Sequence, residues 1–183
     1  MSDKTHTTAV VLIPSESIQS PIQNIRKKHD RNYIRWMPHI TLLYPFAPQD
    51  KFQEVIPLLS AAAQQTLPFT VTLTSFNAFH HRKSCTLFLI PEPKNNVVNL
   101  HGKLIQHLPD YDDTARFSGG FNPHLSVGQF QHRDINDAKQ RLQNEWKPIK
   151  YEVDSISLIY RSRETNDRFV VAENFYFNKG VNN

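Results

Sequence analysis

One short pattern occurs twice in the chain, as Pro38-His39-Ile40-Thr41-Leu42 and as Pro123-His124-Leu125-Ser126-Val127. Each copy runs proline, histidine, apolar residue, hydroxyl residue, apolar residue. In a β-strand, residues i and i+2 project to the same face, so each copy places its histidine beside its hydroxyl group while the apolar side chains face a core. Proline is tolerated at the first residue of a strand. The pattern therefore predicts two strands, each presenting an imidazole and a hydroxyl group.

The repetition is more specific than either copy alone. The chain has nine histidines and 23 serines and threonines, so about one His-x-Ser/Thr match is expected by chance. His6-Thr7-Thr8 is a third match, which we interpret as that chance occurrence. The proline and the two apolar positions lower the chance expectation for one copy to on the order of one in a hundred. A lone histidine beside an apolar strand is usually structural, whereas the matched pair indicates function.

Apolar periodicity predicts a mixed chain of helices and strands around the first copy. The predicted strands are Ala9–Ile13, His39–Phe46, Phe69–Phe76 and Thr86–Ile90. The predicted helices carry Ile18, Ile22, Ile25 and His29 behind Ser15 or Ser17, a stripe from Phe52 to Ala63, and the segment from about Val97 to Leu108.

A similar series begins at the second copy. It consists of a strand His124–Phe130, a helix carrying Ile135, Ala138, Leu142 and Trp146, and two strands, Tyr151–Tyr160 and Phe169–Phe177, joined by the charged turn Arg161–Arg168. The order strand, helix, strand, strand thus occurs twice, with the two histidines at equivalent places. This order predicts one two-lobed domain over residues 1–183, with one motif half at about 36–108 and the other at about 121–178.

The composition is that of a single globular domain. Of 183 residues, 39% are hydrophobic, 21% are charged and five are glycine. The one cysteine, Cys85, excludes an intramolecular disulfide framework and a cysteine-rich zinc site, and it suits a reducing compartment such as the cytoplasm. The apolar run Ala9–Ile13 is too short for a signal peptide or a membrane span, so no membrane association is expected. The net charge of +4 favours polyanions only weakly.

The paired motif, the order of elements and the extended first copy His39-Ile40-Thr41-Leu42-Leu43-Tyr44-Pro45-Phe46 resemble the two-histidine (2H) phosphoesterase superfamily. Ser126 replaces the commoner threonine and keeps the hydroxyl group. The resemblance implies an α+β, two-lobed, pseudo-symmetric fold in which antiparallel sheets line a central cleft and helices lie outside. It implies hydrolysis of 2′,3′-cyclic phosphate ends of RNA or of related nucleotides, or of 2′-5′ linkages, because known members act on RNA cyclic phosphates, ADP-ribose cyclic phosphate and 2′-5′ oligoadenylates.

The two histidines suit this chemistry. Opening a cyclic phosphodiester requires deprotonation of a water on one side and protonation of the departing ribose oxygen on the other, and imidazole can do either near neutral pH. His39 and His124 are therefore the predicted acid and base, in either order, and Thr41 and Ser126 are predicted to hold the phosphate oxygens. We expect activity to survive chelation and kcat/KM to follow a bell with limbs on either side of neutrality.

Other candidates are weaker. A zinc site on His39 and His124 lacks further ligands at metal-like spacing, so no metal or cofactor is predicted. Two basic runs, Arg26-Lys27-Lys28 and Arg161-Ser162-Arg163, are candidates for binding phosphate, although such runs are typical of a solvated surface. Arg161 is the stronger candidate because it ends a predicted strand. The remaining histidines are interpreted as structural: His80, His81, His101, His107 and His132.

Aromatic residues near the motifs are interpreted mainly as core, although they could stack nucleobases. They are Tyr44, Phe46, Phe76, Phe79 and Phe130. Tyr44 would face away from His39 if the first motif strand were regular. The expected protein is a monomer, and the alternative to an enzyme is a module that binds phosphorylated RNA ends without turnover.

Overall fold

The structure is a computed structural model that describes residues 3–162 and 167–180. It contains eight strands, β1 (Thr8–Leu12), β2 (Ile40–Leu43), β3 (Phe69–His80), β4 (Cys85–Glu92), β5 (Leu125–Phe130), β6 (Ile149–Val153), β7 (Ser155–Tyr160) and β8 (Val170–Tyr176). Four α-helices lie between them, α1 (Glu16–His29), α2 (Phe52–Gln64), α3 (Lys94–His107) and α4 (Ile135–Glu145).

All eight strands belong to one antiparallel sheet in the order β6-β3-β4-β5-β2-β1-β7-β8. The two motif strands are central neighbours, joined where Ile40 pairs with Leu125. About this junction the series β2-β1-β7-β8 corresponds to the series β5-β4-β3-β6, so the sheet is pseudo-symmetric. Each series takes strands from both parts of the chain, and the pairing therefore cuts across the predicted halves 36–108 and 121–178.

The sheet is strongly curled. Only Asp154 separates β6 from β7, yet these strands lie at opposite sides of the sheet order. The two sides also touch, because the ring of Phe69 stacks on that of Phe177 at 6.0 Å and the amide of Asn178 donates to the carbonyl of Thr66 at 2.9 Å. The result is a half-barrel, and each helix buries one apolar face.

Two predicted strands differ from the observed ones. Tyr151–Tyr160 is two strands and not one, because the chain leaves β3 at Asp154 and joins β1 and β8; the carbonyl of Asp154 accepts a hydrogen bond from the amide of Phe177 at 2.7 Å. The strand predicted as His39–Phe46 ends at Leu43, and both motif histidines lie immediately before their strands. The other elements agree with the sequence predictions to within a few residues.

A close approach between α1 and β5 gives a first prediction. A Cβ atom at Gly128 would lie 2.6 Å from Cβ and 3.0 Å from the carbonyl oxygen of His29. Gly128→Ala should therefore lower the free energy of unfolding by about 1–3 kcal/mol through overpacking. Gly102 in α3 has nothing within 4 Å, so Gly102→Ala should instead stabilise by about 0.5–1 kcal/mol. Urea unfolding of both variants checks this, and equal effects would contradict the tight contact.

Candidate active site

The structure brings the four motif residues to one cleft. His39, Thr41, His124 and Ser126 all line a cavity of about 400 Å³ where β2 and β5 meet. The alternation predicted from the sequence places each hydroxyl on the same side as its histidine, since Ile40 and Leu125 between them are fully buried.

The two imidazoles are held in the same way. The Nδ1–H of His39 donates to the carbonyl of Met37 at 2.7 Å, and that of His124 donates to the carbonyl of Asn122 at 2.8 Å. In both copies the acceptor lies two residues earlier, across a proline whose ring fixes φ and favours an extended preceding residue. A carbonyl can only accept, so these bonds set the tautomer with Nδ1 protonated and leave each Nε2 free to take or give a proton.

Aromatic rings enclose both histidines. Trp36 stacks on His39 with ring centroids 4.6 Å apart and is itself stacked on Phe169 at 3.8 Å. The ring of Phe79 is nearly perpendicular to that of His124, with centroids 4.9 Å apart, and the ring centroid of Phe88 lies 5.3 Å from that of His124. These rings fix the imidazole planes and remove water from one side of each.

The enclosure lowers the pKa of both histidines. The pKa of His39 is lowered to about 4, chiefly by desolvation; the hydrogen bond to Met37 opposes this shift, and the positive charges of Arg26 and of protonated His124 contribute to it. Desolvation also lowers the pKa of His124 from 6.5, opposed by the bond to Asn122. Both side chains are therefore neutral in the free protein at pH 7. The bell-shaped profile of kcat/KM against pH, which the sequence predicted to be centred near neutrality, should instead be centred at acid pH.

A buried ion pair supports the wall behind His39. Arg26 is 1% exposed and donates from Nε to Asp30 at 2.8 Å and from Nη2 to the carbonyl of Trp36 at 2.9 Å. Asp30 in turn accepts from the amide of Asn32 at 2.9 Å and from Gln129 at 3.3 Å. The interpretation of Arg26 as part of a solvated charge run was wrong, because it follows Ile22 by one helical turn and shares its buried face.

Arg161 is not among the described residues that line this cleft or the cavity of about 680 Å³ that adjoins it. It follows β7, its amide donates to the carbonyl of Thr7 at 2.9 Å, and its guanidinium lies 5.5 Å from the ring centre of Phe169. Its Nε is buried and has no hydrogen-bond partner among the described residues. Arg163 of the same run lies outside the described residues.

Arg31 and Arg35, which the sequence patterns did not single out, are exposed and line the cleft.

Tyr44 faces the site, contrary to the sequence prediction. It lines the cleft, meets Trp36 edge-on at 5.4 Å and donates from its hydroxyl to the carbonyl of His6 at 3.3 Å. The prediction was wrong because β2 ends at Leu43, so the two-residue alternation does not extend to Tyr44. Phe46 and Phe76 are buried in the core as predicted.

A second cavity of about 680 Å³ adjoins the cleft. The two share Thr41, Tyr44, Phe79, His81 and His124. The rest of its wall includes three aromatic residues from the segment before the second motif, Tyr111, Phe117 and Phe121. Aromatic walls of this kind suit a flat apolar group beside the histidines.

A curled antiparallel sheet with two His-x-Ser/Thr strands facing one cleft defines the class of two-histidine phosphoesterases. A family model described as the 2′-5′ RNA ligase superfamily matches residues 14–165. The chain belongs to this superfamily, which confirms the resemblance seen in the sequence.

Similar proteins and solved structures agree with this family assignment. The Putative phosphoesterase of Bacillus cereus strain G9842 is 30% identical over 180 residues, covering 94% of this chain and 98% of the relative. That of Oceanobacillus iheyensis is 29% identical over 168 residues, covering 91% and 95%. The fold is similar to TT0787 of Thermus thermophilus, with TM-score 0.64, 16% identity and coverage of 94% and 98%. It is also similar to Escherichia coli LigT complexed with 3′-AMP, with TM-score 0.59, 15% identity and coverage of 96% and 99%. The predicted fold class is thereby confirmed.

Within residues 3–162 and 167–180, no helix has the length and apolar character needed to cross a bilayer.

Proposed function

We propose that this phosphoesterase is a metal-independent cyclic phosphodiesterase that hydrolyses 2′,3′-cyclic phosphate ends of RNA or of related nucleotides. The observation that carries the proposal is the matched pair of imidazoles, each tied through Nδ1 to a carbonyl two residues earlier and each beside a hydroxyl group in one cleft. A site with two free Nε2 atoms and two hydroxyl donors meets the requirements of in-line phosphodiester opening.

The reaction needs one neutral and one protonated histidine. The neutral Nε2 takes a proton from water as the water oxygen attacks phosphorus. Thr41 and Ser126 donate hydrogen bonds to the non-bridging oxygens as negative charge builds on them. The protonated Nε2 of the other histidine gives its proton to the ribose oxygen as the P–O bond breaks, leaving a phosphomonoester and a free hydroxyl group. Which histidine faces the leaving oxygen decides whether a 2′- or a 3′-phosphate is formed.

The ligand is proposed to be a nucleotide with its base in the larger cavity. The aromatic residues of that cavity suit stacking on a nucleobase. Escherichia coli LigT, which has a similar fold, has been crystallised in complex with 3′-AMP. A 2′-5′ phosphodiester would use the same two proton transfers.

A substrate panel tests the proposal. Purified enzyme is assayed with 2′,3′-cyclic mononucleotides, cyclic-ended oligonucleotides, 2′-5′ oligoadenylate and ADP-ribose cyclic phosphate, and products are resolved by chromatography. Ring opening of a cyclic phosphate supports the proposal. Tight binding of these ligands without turnover would show instead a module that recognises phosphorylated ends.

The pH dependence of catalysis follows from the lowered pKa values. The base form of one histidine appears as pH rises through its pKa, and the acid form of the other is lost as pH rises through its own. Since the pKa values of both lie below 6.5 in the free enzyme, kcat/KM should peak on the acid side of pH 6.5. A bound phosphate anion favours imidazolium, so the alkaline limb of kcat should lie at higher pH than that of kcat/KM. Coincident alkaline limbs would contradict this assignment.

A further inference from the structure

Three metal-ligating side chains meet at the end of the β3–β4 hairpin, apart from His39 and His124. His80 is the last residue of β3, Cys85 is the first residue of β4 and pairs with it, and His132 lies just beyond β5. Their ligand atoms all lie within 4.8 Å of one another. Among the described residues, this is the one such group of three or more His, Cys, Asp or Glu side chains.

The sulfur–nitrogen spacing in this group matches that of a tetrahedral metal site. The Sγ atom of Cys85 lies 3.3 Å from Nδ1 of His80 and 3.4 Å from Nδ1 of His132. Zinc bonds of ~2.3 Å to sulfur and ~2.0–2.1 Å to nitrogen, at a tetrahedral angle, place sulfur and nitrogen roughly 3.5 Å apart. The two sulfur–nitrogen distances therefore differ by only about 0.2 Å from those around a zinc ion.

The placement of the side chains suits an ion that enters from solvent. Cys85 is fully buried, while His80 and His132 are exposed above it with their rings 6.0 Å apart and nearly parallel. Both imidazoles are turned toward the same sulfur, although one thiol can donate its single proton to only one of them. A cation bound to a thiolate and two neutral imidazoles would satisfy all three groups at once.

We propose that His80, Cys85 and His132 form a zinc-binding site, with water as the fourth ligand. One thiolate and two imidazoles suit Zn²⁺ and disfavour Mg²⁺ and Ca²⁺, which take oxygen ligands. The site would fasten the end of the β3–β4 hairpin to the segment after β5. Because His80 lines the larger cavity and the same hairpin carries Phe79 and His81 into the cleft, the ion would hold one wall of the active site.

Binding of Co²⁺ in place of Zn²⁺ tests the site through the absorption spectrum. Reduced, metal-free protein is titrated with Co²⁺, and the near-ultraviolet charge-transfer band of a thiolate–cobalt bond is recorded. We expect the band to saturate at one ion per chain, to vanish on adding Zn²⁺ and to be absent in Cys85→Ala. His80→Ala and His132→Ala should each weaken Zn²⁺ binding more than about tenfold in competition with a chromophoric chelator.

Two controls separate this site from other histidines. His107→Ala on α3 should leave the band unchanged, and so should the double variant His39→Ala/His124→Ala, which removes both motif imidazoles. Zn²⁺ should raise the Tm of wild-type protein and leave that of Cys85→Ala unchanged. The absence of a thiolate–cobalt band in wild-type protein would overturn the proposal, as would a band that survives loss of both His80 and His132.

Discussion

Replacing His39 or His124 with alanine is expected to lower kcat by at least about a hundredfold while the fold is kept. Each substitution removes one of two proton-transfer groups, and a single positioned acid or base contributes about 10²–10⁴-fold to the rate. Steady-state kinetics on the best substrate of the panel, with circular dichroism to confirm folding, measures the effect. Thr41→Ala and Ser126→Ala should cause smaller losses.

A matched control is His107→Ala, a histidine on α3 that lines neither cavity. It should retain wild-type turnover. The double variant His39→Ala/His124→Ala should lose much less than the product of the single losses, because residues that act as a unit are not additive. Near-wild-type turnover by either single variant would exclude a two-histidine mechanism.

Arg26→Met should lower the free energy of unfolding by about 3–5 kcal/mol, because it leaves Asp30 buried without its cation. The side chains of this pair are 2% and 4% exposed. The matched control is Lys51→Met in the pair Lys51–Glu54, whose side chains are 46% and 67% exposed; its loss of stability should be much smaller than that of Arg26→Met, because solvent screens an exposed ion pair. Urea unfolding compares the two.

Arg26→Lys provides a milder variant if Arg26→Met fails to fold. A lysine keeps the charge but cannot reach Asp30, Gln23 and the carbonyl of Trp36 together, as the guanidinium does. Its stability should therefore lie between those of wild-type protein and Arg26→Met. A loss from Arg26→Met no larger than that from Lys51→Met would show that the buried pair does not anchor this wall.

Local sequence patterns predicted much of the secondary structure and of the candidate site. The two-residue alternation placed each hydroxyl on the same side as its histidine, and the helical periods located all four helices. The strand alternation and the helical period both depend on residues close together in sequence, so they can be recognised without the tertiary structure. The carbonyls that hold the imidazoles also lie two residues away, but sequence alone does not report ring orientation.

What the sequence could not predict depends on distant contacts. The adjacency of β2 and β5 is set by strand pairing across 85 residues, and the break at Asp154 arises because β6 and β7 pair with opposite sides of the sheet. The cluster of His80, Cys85 and His132 forms only when β4 pairs with both β3 and β5. Arg26 carried one local signal that was overlooked, since Asp30 follows it by four residues, a spacing that favours an ion pair.

The most direct test of the two-histidine mechanism is kcat/KM against pH for wild-type enzyme, His39→Ala and His124→Ala, in buffer kept free of metal by chelation. Wild-type enzyme should remain active and follow a bell with its maximum below pH 6.5, and the residual activity of each variant should lack one limb, a different limb in each case. A bell that persists in both variants, or a wild-type enzyme that is inactive until Mg²⁺ or Mn²⁺ is added, would contradict the mechanism.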